Sequence, residues 1–346
     1  MNFDPNDLLV ILPLVFLAGW ATLLLLVHAF LPEKQKHWTV TLAANGLLIT
    51  LILSAFQWGD LQSAFGGMVM VDNFAVAINV LVTAGGFISI LLAREYLARL
   101  ATVKGEYFLL LLFSVSGMML MGMASDLIVV FLALELLSIP LYVLAGFFRN
   151  QGASQEAGLK YFLLGAFAGG FVLYGIALVY GAAGSTNLVV IANVVSMGKL
   201  LDPNYLLAGA GLILVGFGFK IAMVPFHMWT PDVYQGSPTS STAFMAVGAK
   251  VAGFAALLRI FTSIFVNFAE DLVPVLYILV GLTLLVGNFT AIAQKNIKRM
   301  LAYSSISHAG FLLMALVPYG SSGRLLAEGV ASTLFYLIGF AIASFG

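Results

Sequence analysis

Apolar runs of bilayer-spanning length recur along almost the whole of this chain, separated by short polar breaks. A helix needs about 20 apolar residues to cross the hydrocarbon core of a membrane. About eleven segments meet that requirement, over 8–31, 39–57, 74–93, 107–124, 127–148, 160–181, 206–229, 240–262, 272–293, 299–318 and 327–346. In lipid every backbone N–H and C=O must be satisfied within the protein, so such runs form helices. The composition agrees: 62% of the 346 residues are hydrophobic and 9% are charged, against about a quarter charged in a soluble domain. The sequence therefore predicts an all-α polytopic membrane protein. The stretch "NLVVIANVVSMGKLLDPN", residues 187–204, is shorter and amphipathic, and is expected to lie on the surface.

The two ends of the chain carry separate expectations. The first run is too long for a signal-peptide core and follows the acidic Asp4 and Asp7, so it is expected to be a retained span. The last run, "FYLIGFAIASFG", has no cap or polar tail. A helix ending in hydrocarbon leaves its last carbonyls unsatisfied, so the chain is expected to continue past Gly346.

Positive charge sets orientation. Lys34, Lys36, Arg94, Arg99, Lys104, Arg149, Lys160, Lys295, Lys298 and Arg299 follow the odd-numbered spans, while Lys199, Arg259 and Arg324 fall on the other side with Asp60, Asp72, Glu270 and Asp271. The amino terminus is expected outside and the basic loops in the cytoplasm. Zero net charge argues against a nucleic-acid partner. The absence of cysteine excludes thiolate-held iron–sulfur clusters, Cys-ligated zinc and disulfides.

Three charges remain near the centres of spans: Glu135 in "FLALELLSIPLYVL", Lys220 in "VGFGFKIAMVPFHMWTPD" and Lys250 in "FMAVGAKVAGF". His308 sits mid-span in "AYSSISHAGF", one turn after Ser304. Each charge at bilayer depth costs roughly 2.5–3.5 kcal/mol on insertion scales, so all three must face a partner or water inside the bundle. One Glu–Lys pair can be a structural clamp between helices. A second lysine is harder to place that way, because one carboxylate cannot neutralise two ammonium groups. Desolvation disfavours a charged lysine, and a lysine that changes its charge is a proton carrier. His308 is open to both a structural helix contact and a functional role.

Pro225 lies five residues after Lys220, where it removes a backbone donor and pushes against the carbonyl of Ile221. The expected result is a broken helix with free carbonyls beside Lys220, at the negative end of the helix dipole. Pro140 stands in the same relation to Glu135. At 4 Å and an effective dielectric of about 20, the two charges would attract by about 4 kcal/mol, falling to about 1.7 kcal/mol at 10 Å. Moving Glu135 would thus change how firmly Lys220 holds its proton. His227, beside Trp229, is expected at the membrane edge, either as a structural interfacial residue or where a proton enters. "GAGLILVG" and "GFGF" lack the strand–turn–helix setting of a dinucleotide loop. Gly165 and Gly169 in "GAFAGG" suit close helix packing. No histidine pair has zinc spacing, so no metal or cofactor is expected on this chain.

Four stretches, "ELLSIPLYVLAGF", "FGFKIAMVPFHMWTPDVYQGSPT", "AVGAKVAGF" and "NIKRMLAYSSISHAGFLLMAL", resemble the antiporter-like subunits of respiratory complex I. "LSIPLYVL" and "SSISHAGF" favour the N subunit of NADH–quinone oxidoreductase. The resemblance implies fourteen spans with two inverted five-helix repeats, each with a broken helix. It divides this single membrane domain into N-terminal helices (1–105), a first repeat (106–262) and a partial second repeat (270–346). It implies a proton path through a glutamate on the fifth span and lysines on the seventh and eighth. Glu135, Lys220 and Lys250 match these, and His308 matches a histidine on the central polar axis. A further lysine on the twelfth span would fall after Gly346. NADH, FMN, iron–sulfur clusters and quinone would then belong to partner subunits in a bacterial inner membrane. The same buried charges would also suit a subunit of a multisubunit cation/proton antiporter or membrane-bound hydrogenase. Other readings are a stand-alone solute transporter, which needs a substrate-sized cavity, and a structural scaffold.

Overall fold

A computed structural model describes residues 4–32, 35–100, 104–265, 268–317 and 323–346, with the side chains of 323–327 outside the description. Lys34 and the side chain of Arg324, both counted toward orientation, therefore lie outside the described residues. The chain opens with α1 (Asn6–Val10), α2 (Leu12–Phe30), α3 (Trp38–Phe56), α4 (Asn73–Arg99), α5 (Gly105–Met123), α6 (Leu127–Ala145) and α7 (Gly152–Ala183). It continues through α8 (Leu188–Ser196), α9 (Pro203–Ile221), α10 (Trp229–Gly236), α11 (Thr239–Phe244), α12 (Lys250–Ile264), α13 (Ala269–Ile292), α14 (Ile297–Met314) and α15 (Gly323–Phe345).

Among the described residues, 10 helices are long and apolar enough to cross a membrane by length and composition. The predicted span over 299–318 is α14. It is helical for 18 residues, but Lys298 and Arg299 in its first turn and the polar run Ser304 to His308 set it apart from those ten. The amphipathic stretch is α8, which buries Leu188, Ile191 and Val195 and leaves Val189 and Val190 exposed.

Helix starts follow from side-chain caps. Asp72, Asp126, Asn187, Asp202 and Asn296 each accept a backbone N–H from the first turn they precede, as a short oxygen-bearing side chain does at that position. One element departs from the all-helical expectation. An antiparallel hairpin pairs β1 (Gln62–Ala64) with β2 (Val69–Val71), and its turn places Phe65, Gly66 and Gly67 at positive φ. The hairpin bridges to Ala124 through Val69, so it closes the end of the bundle where α4 begins and α5 stops.

Small residues bring the helices close, as expected where lipid offers no hydrophobic drive to association. A Cβ on Gly117 would lie 2.4 Å from the backbone nitrogen of Leu137, so α5 touches the main chain of α6 beside Glu135 and Ser138. Gly175 of α7 and Gly209 of α9 each leave no room for a Cβ against the other's carbonyl, which would sit 2.8 Å away. In "GAGLILVG" Gly209 and Gly216 thus serve packing.

At the centre, α11 runs through a π turn (Met245–Ala249) into α12 as one rod from Thr239 to Ile264, buried on nearly every side. Its far end is latched. Arg259 donates Nη1 to Asp72 Oδ2 at 3.0 Å and Nη2 to Asp72 Oδ1 at 2.9 Å, and also reaches the Gly122 carbonyl at 2.9 Å. Arg259 is 8% exposed and lies over the Phe74 ring. Replacing Arg259 by Met is expected to cost about 3–5 kcal/mol, because it strands Asp72 without its partner. Thermal unfolding in detergent checks this, and adding Asp72→Asn should restore most of the loss.

Candidate functional site

The interruption predicted near Pro225 begins earlier. α9 ends at Ile221, and Ala222 takes the left-handed conformation at φ 61° and ψ 41°. The N–H of Ala222 bonds to the Phe219 carbonyl at 3.1 Å and that of Met223 to the Gly218 carbonyl at 2.8 Å. This is the double closure of a Schellman turn, which uses up final carbonyls of a helix. Trp229 Nε1 donates to the Phe219 carbonyl at 2.9 Å, and the Val224 N–H donates to Thr283 Oγ1 of α13 at 3.1 Å. The expectation of free carbonyls for Lys220 is therefore corrected for Gly218 and Phe219: both already have donors. Gly218 makes room for the returning loop, since a Cβ there would meet Met223 Cε at 2.6 Å and the Phe226 ring at 2.9 Å.

Lys220 closes the last turn of α9 and is 4% exposed. Its ammonium donates to Ser138 Oγ of α6 at 2.8 Å and to Tyr161 OH of α7 at 3.3 Å. It sits 5.3 Å from the Tyr161 ring centre and 5.8 Å from that of Tyr142. Among the described residues no ion pair within 4.0 Å joins it to Glu135. Both residues instead border one cavity of about 10 Å³, lined also by Ser138, Tyr142 and Gly169. That is about the room needed for the centre of one water. Gly169 and Gly165 provide the space: a Cβ would lie 2.8 Å from Glu135 Oε1 at the first and 2.2 Å from Tyr142 OH at the second. These glycines pack helices as expected, but what they admit is the polar side chains. Ser138 and Tyr142 escaped the sequence reading. Their spacing of three and seven residues from Glu135 puts all three on one face of an otherwise apolar helix, which was the available signal.

Lys250 begins α12 directly after the π turn and is 2% exposed. Its ammonium turns to α14, donating to the Ser305 carbonyl and, at 2.5 Å, to Ser305 Oγ. It lies 5.2 Å from the Phe340 ring centre. His308 packs on the same ring at 5.1 Å, and its Nδ1 pairs with Tyr336 OH of α15 at 2.7 Å, rather than with Ser304. The Lys220 stem packs against α12, the helix that Lys250 begins. A Cβ on Gly253, one turn past Lys250, would touch Lys220 Cγ at 3.7 Å. The two ammonium groups have separate partners, Ser138 and Tyr161 for Lys220 and Ser305 for Lys250; Tyr161 stacks on Trp229, which meets Tyr234 edge to face. His227, expected at the membrane edge, is 6% exposed inside the break, 6.4 Å from the Tyr303 ring.

Charges assigned to loops form a second cluster. Asp232 of α10 accepts from Lys160 of α7 at 2.8 Å and from Arg299 of α14 at 2.6 Å. Lys298 donates to the Ser237 carbonyl at 2.7 Å just past the end of α10. Together they pin the half-helix after the break to both neighbours. Among the described residues, no group of three or more His, Cys, Asp or Glu side chains is placed to hold a metal.

Apart from the short hairpin, the fold is that of an all-α, polytopic membrane protein of the antiporter-like kind, with cations buried beside interruptions in its helices. A sequence profile described as NADH:quinone oxidoreductase/Mrp antiporter, transmembrane, matches residues 124–346. NADH-quinone oxidoreductase subunit N 2 of Roseiflexus castenholzii is 45% identical over 345 residues, covering 99% of this chain and 69% of that protein. A chain of respiratory complex I from Thermus thermophilus superposes with a TM-score of 0.75 at 39% identity, over 96% of this chain and 70% of the other. The membrane-bound sulfane sulfur reductase, an archaeal respiratory membrane complex, has a chain of the same fold, with a TM-score of 0.78 at 24% identity over 98% of this chain and 68% of that one. The chain belongs to the NADH:quinone oxidoreductase/Mrp antiporter membrane family, within the branch formed by subunit N.

Burial works to raise the Asp232 carboxyl, but hydrogen bonds and charge from Lys160 and Arg299 outweigh it and hold the group below its ordinary value. Its folded value is thus lower than its unfolded one, so the clamp stabilises the protein above about pH 4 and is lost as pH falls through the folded value. The midpoint of thermal unfolding should fall between about pH 5 and pH 3, and Asp232→Asn should flatten that part of the curve.

Proposed function

We propose that this chain is the N subunit of a proton-translocating NADH–quinone oxidoreductase, and that Glu135, Lys220, Lys250 and His308 carry its protons. The contrast among the buried cations supports this reading. Arg259 holds its carboxylate in a two-bond fork, as a structural clamp should. Lys220 and Lys250 are as deeply buried, yet each is held by hydroxyls, aromatic rings or a carbonyl, with no carboxylate in contact among the described residues. Hydroxyls and rings solvate an ammonium and still let it become an amine, whereas removing the charge from a buried ion pair strands its partner.

In this reading Glu135 acts on Lys220 across the shared cavity and sets how firmly it holds its proton. Lys220 passes the proton toward Lys250 past the rings of Tyr161, Trp229 and Tyr234. Ser305 and His308 continue the line toward α15. His227 serves as the proton inlet beside the break at Pro225. The repeat assignment, 106–262 and part of a second over 270–346, fits these positions. NADH, FMN, iron–sulfur clusters and quinone act on partner subunits, and other membrane subunits of the complex are the partners. The excess of basic residues supports an orientation with the end bearing Lys160, Lys298 and Arg299 in the cytoplasm and the amino terminus outside, in a bacterial inner membrane.

In inside-out vesicles carrying the complete complex, Lys220→Ala is expected to abolish most NADH-driven acidification and coupled turnover while the complex stays assembled on native gels. Wild-type rates in that variant would make Lys220 a structural residue. Gly169→Ala should leave assembly intact but lower pumping, because its methyl group displaces the flexible Glu135 carboxylate.

A further inference from the structure

Lys220 stands in a setting that no other buried cation among the described residues shares. Two tyrosine rings from different helices approach its ammonium, at 5.3 Å for Tyr161 and 5.8 Å for Tyr142. Both lie inside the distance of about 6 Å at which a ring face attracts a cation. The rings meet edge to face at 4.8 Å and 89°, the geometry of two walls of a corner. Each wall is fixed from behind. Tyr161 is fully buried and stacks on Trp229 at 4.5 Å and 8°. Tyr142 is seated by Gly165, where any side chain would strike its hydroxyl. Ser138 Oγ completes the corner at 2.8 Å.

We propose that Tyr142 and Tyr161 form an aromatic cage that positions the Lys220 ammonium and stabilises its charged form, so that they set the pH range over which Lys220 works. The inference rests on Lys220 being a proton carrier and adds two positioning residues to it. The surroundings leave the rings as a principal influence. From α6 the ammonium faces Ser138 and Tyr142, with Glu135 across the cavity. From α7 it faces Tyr161, since Lys160 turns away to Asp232. α12 offers the uncharged Gly253, and Lys250 directs its own ammonium to Ser305. Lys250 has a single phenylalanine ring instead. The two lysines are therefore held differently, Lys220 in a corner of two tyrosines and Lys250 by a serine and one ring.

The test is the pH profile of NADH-driven proton pumping by the complete complex in inside-out vesicles. Removing one ring face should move the alkaline limb of the profile to lower pH by about one unit. Tyr142→Leu should show that shift, and Tyr142→Phe, which keeps the ring, should follow wild type. If Tyr142→Leu does not assemble, fluorinated phenylalanines at 142 keep the shape while weakening the ring face step by step. The limb should then move in proportion to fluorination. A profile that stays in place across the fluorinated series, or a Tyr142→Leu complex with the wild-type profile, overturns the cage. Lys220→Ala separates the two levels. Loss of pumping there with unmoved tyrosine profiles removes the cage alone, and retained pumping removes the proton-carrier reading beneath it.

Discussion

A cation inside a bilayer-spanning bundle must have its charge answered, and the answers here divide the molecule by role. Arg259 receives a full carboxylate and becomes a latch. Lys220 receives a hydroxyl, two ring faces and a glutamate across a cavity with space for about one water. Lys250 receives a serine, used through both its carbonyl and its hydroxyl, and one ring. Moving from the first to the last, the compensating charge becomes weaker and easier to rearrange. The close helix contacts follow from this need. Gly117, Gly165, Gly169, Gly175 and Gly209 let α5, α6, α7 and α9 approach until hydroxyls and rings reach the ammonium.

The interruption in α9 serves the same end. Backbone groups freed in a membrane must be satisfied by protein, and this break meets that demand with a capped turn, an indole and a threonine. Lys220 is thereby set at a fixed helix end, where the dipole still favours a cation. The half-helix beyond is held by Asp232 to α7 and α14. The break is a built joint with defined partners on both sides.

Helix positions and buried charges were legible in the sequence because both depend on local pattern: the length of an apolar run, or a charged residue within one. The polar residues of α14, Ser304, Ser305, Ser307 and His308, stand in a run that counts simply as an apolar span by length. What the sequence did not disclose was pairing over distance. Pro225 drew attention to the break, yet the turn is made at Ala222, an ordinary alanine forced into a glycine-like conformation by its surroundings. Lys160, Asp232 and Arg299 lie far apart along the chain and were read as separate loop charges. The partner of His308 proved to be Tyr336 on another helix. The hairpin at 62–71 is too short and weakly alternating to stand out beside spans of about twenty residues.

The central rod from Thr239 to Ile264 has almost no face toward lipid. Lys250 and Arg259 both lie on the same side of its π turn, within one stretch of regular helix about 13 Å apart. Neither can shift along the axis without carrying the other. The rod is enclosed on nearly every side, so it can slide or turn only as its neighbours yield. What the rod joins is a buried lysine at mid-membrane and the Asp72 latch, through regular helix alone. In mechanical terms it is a stiff connecting rod, with a charge at one bearing and a fastening at the other.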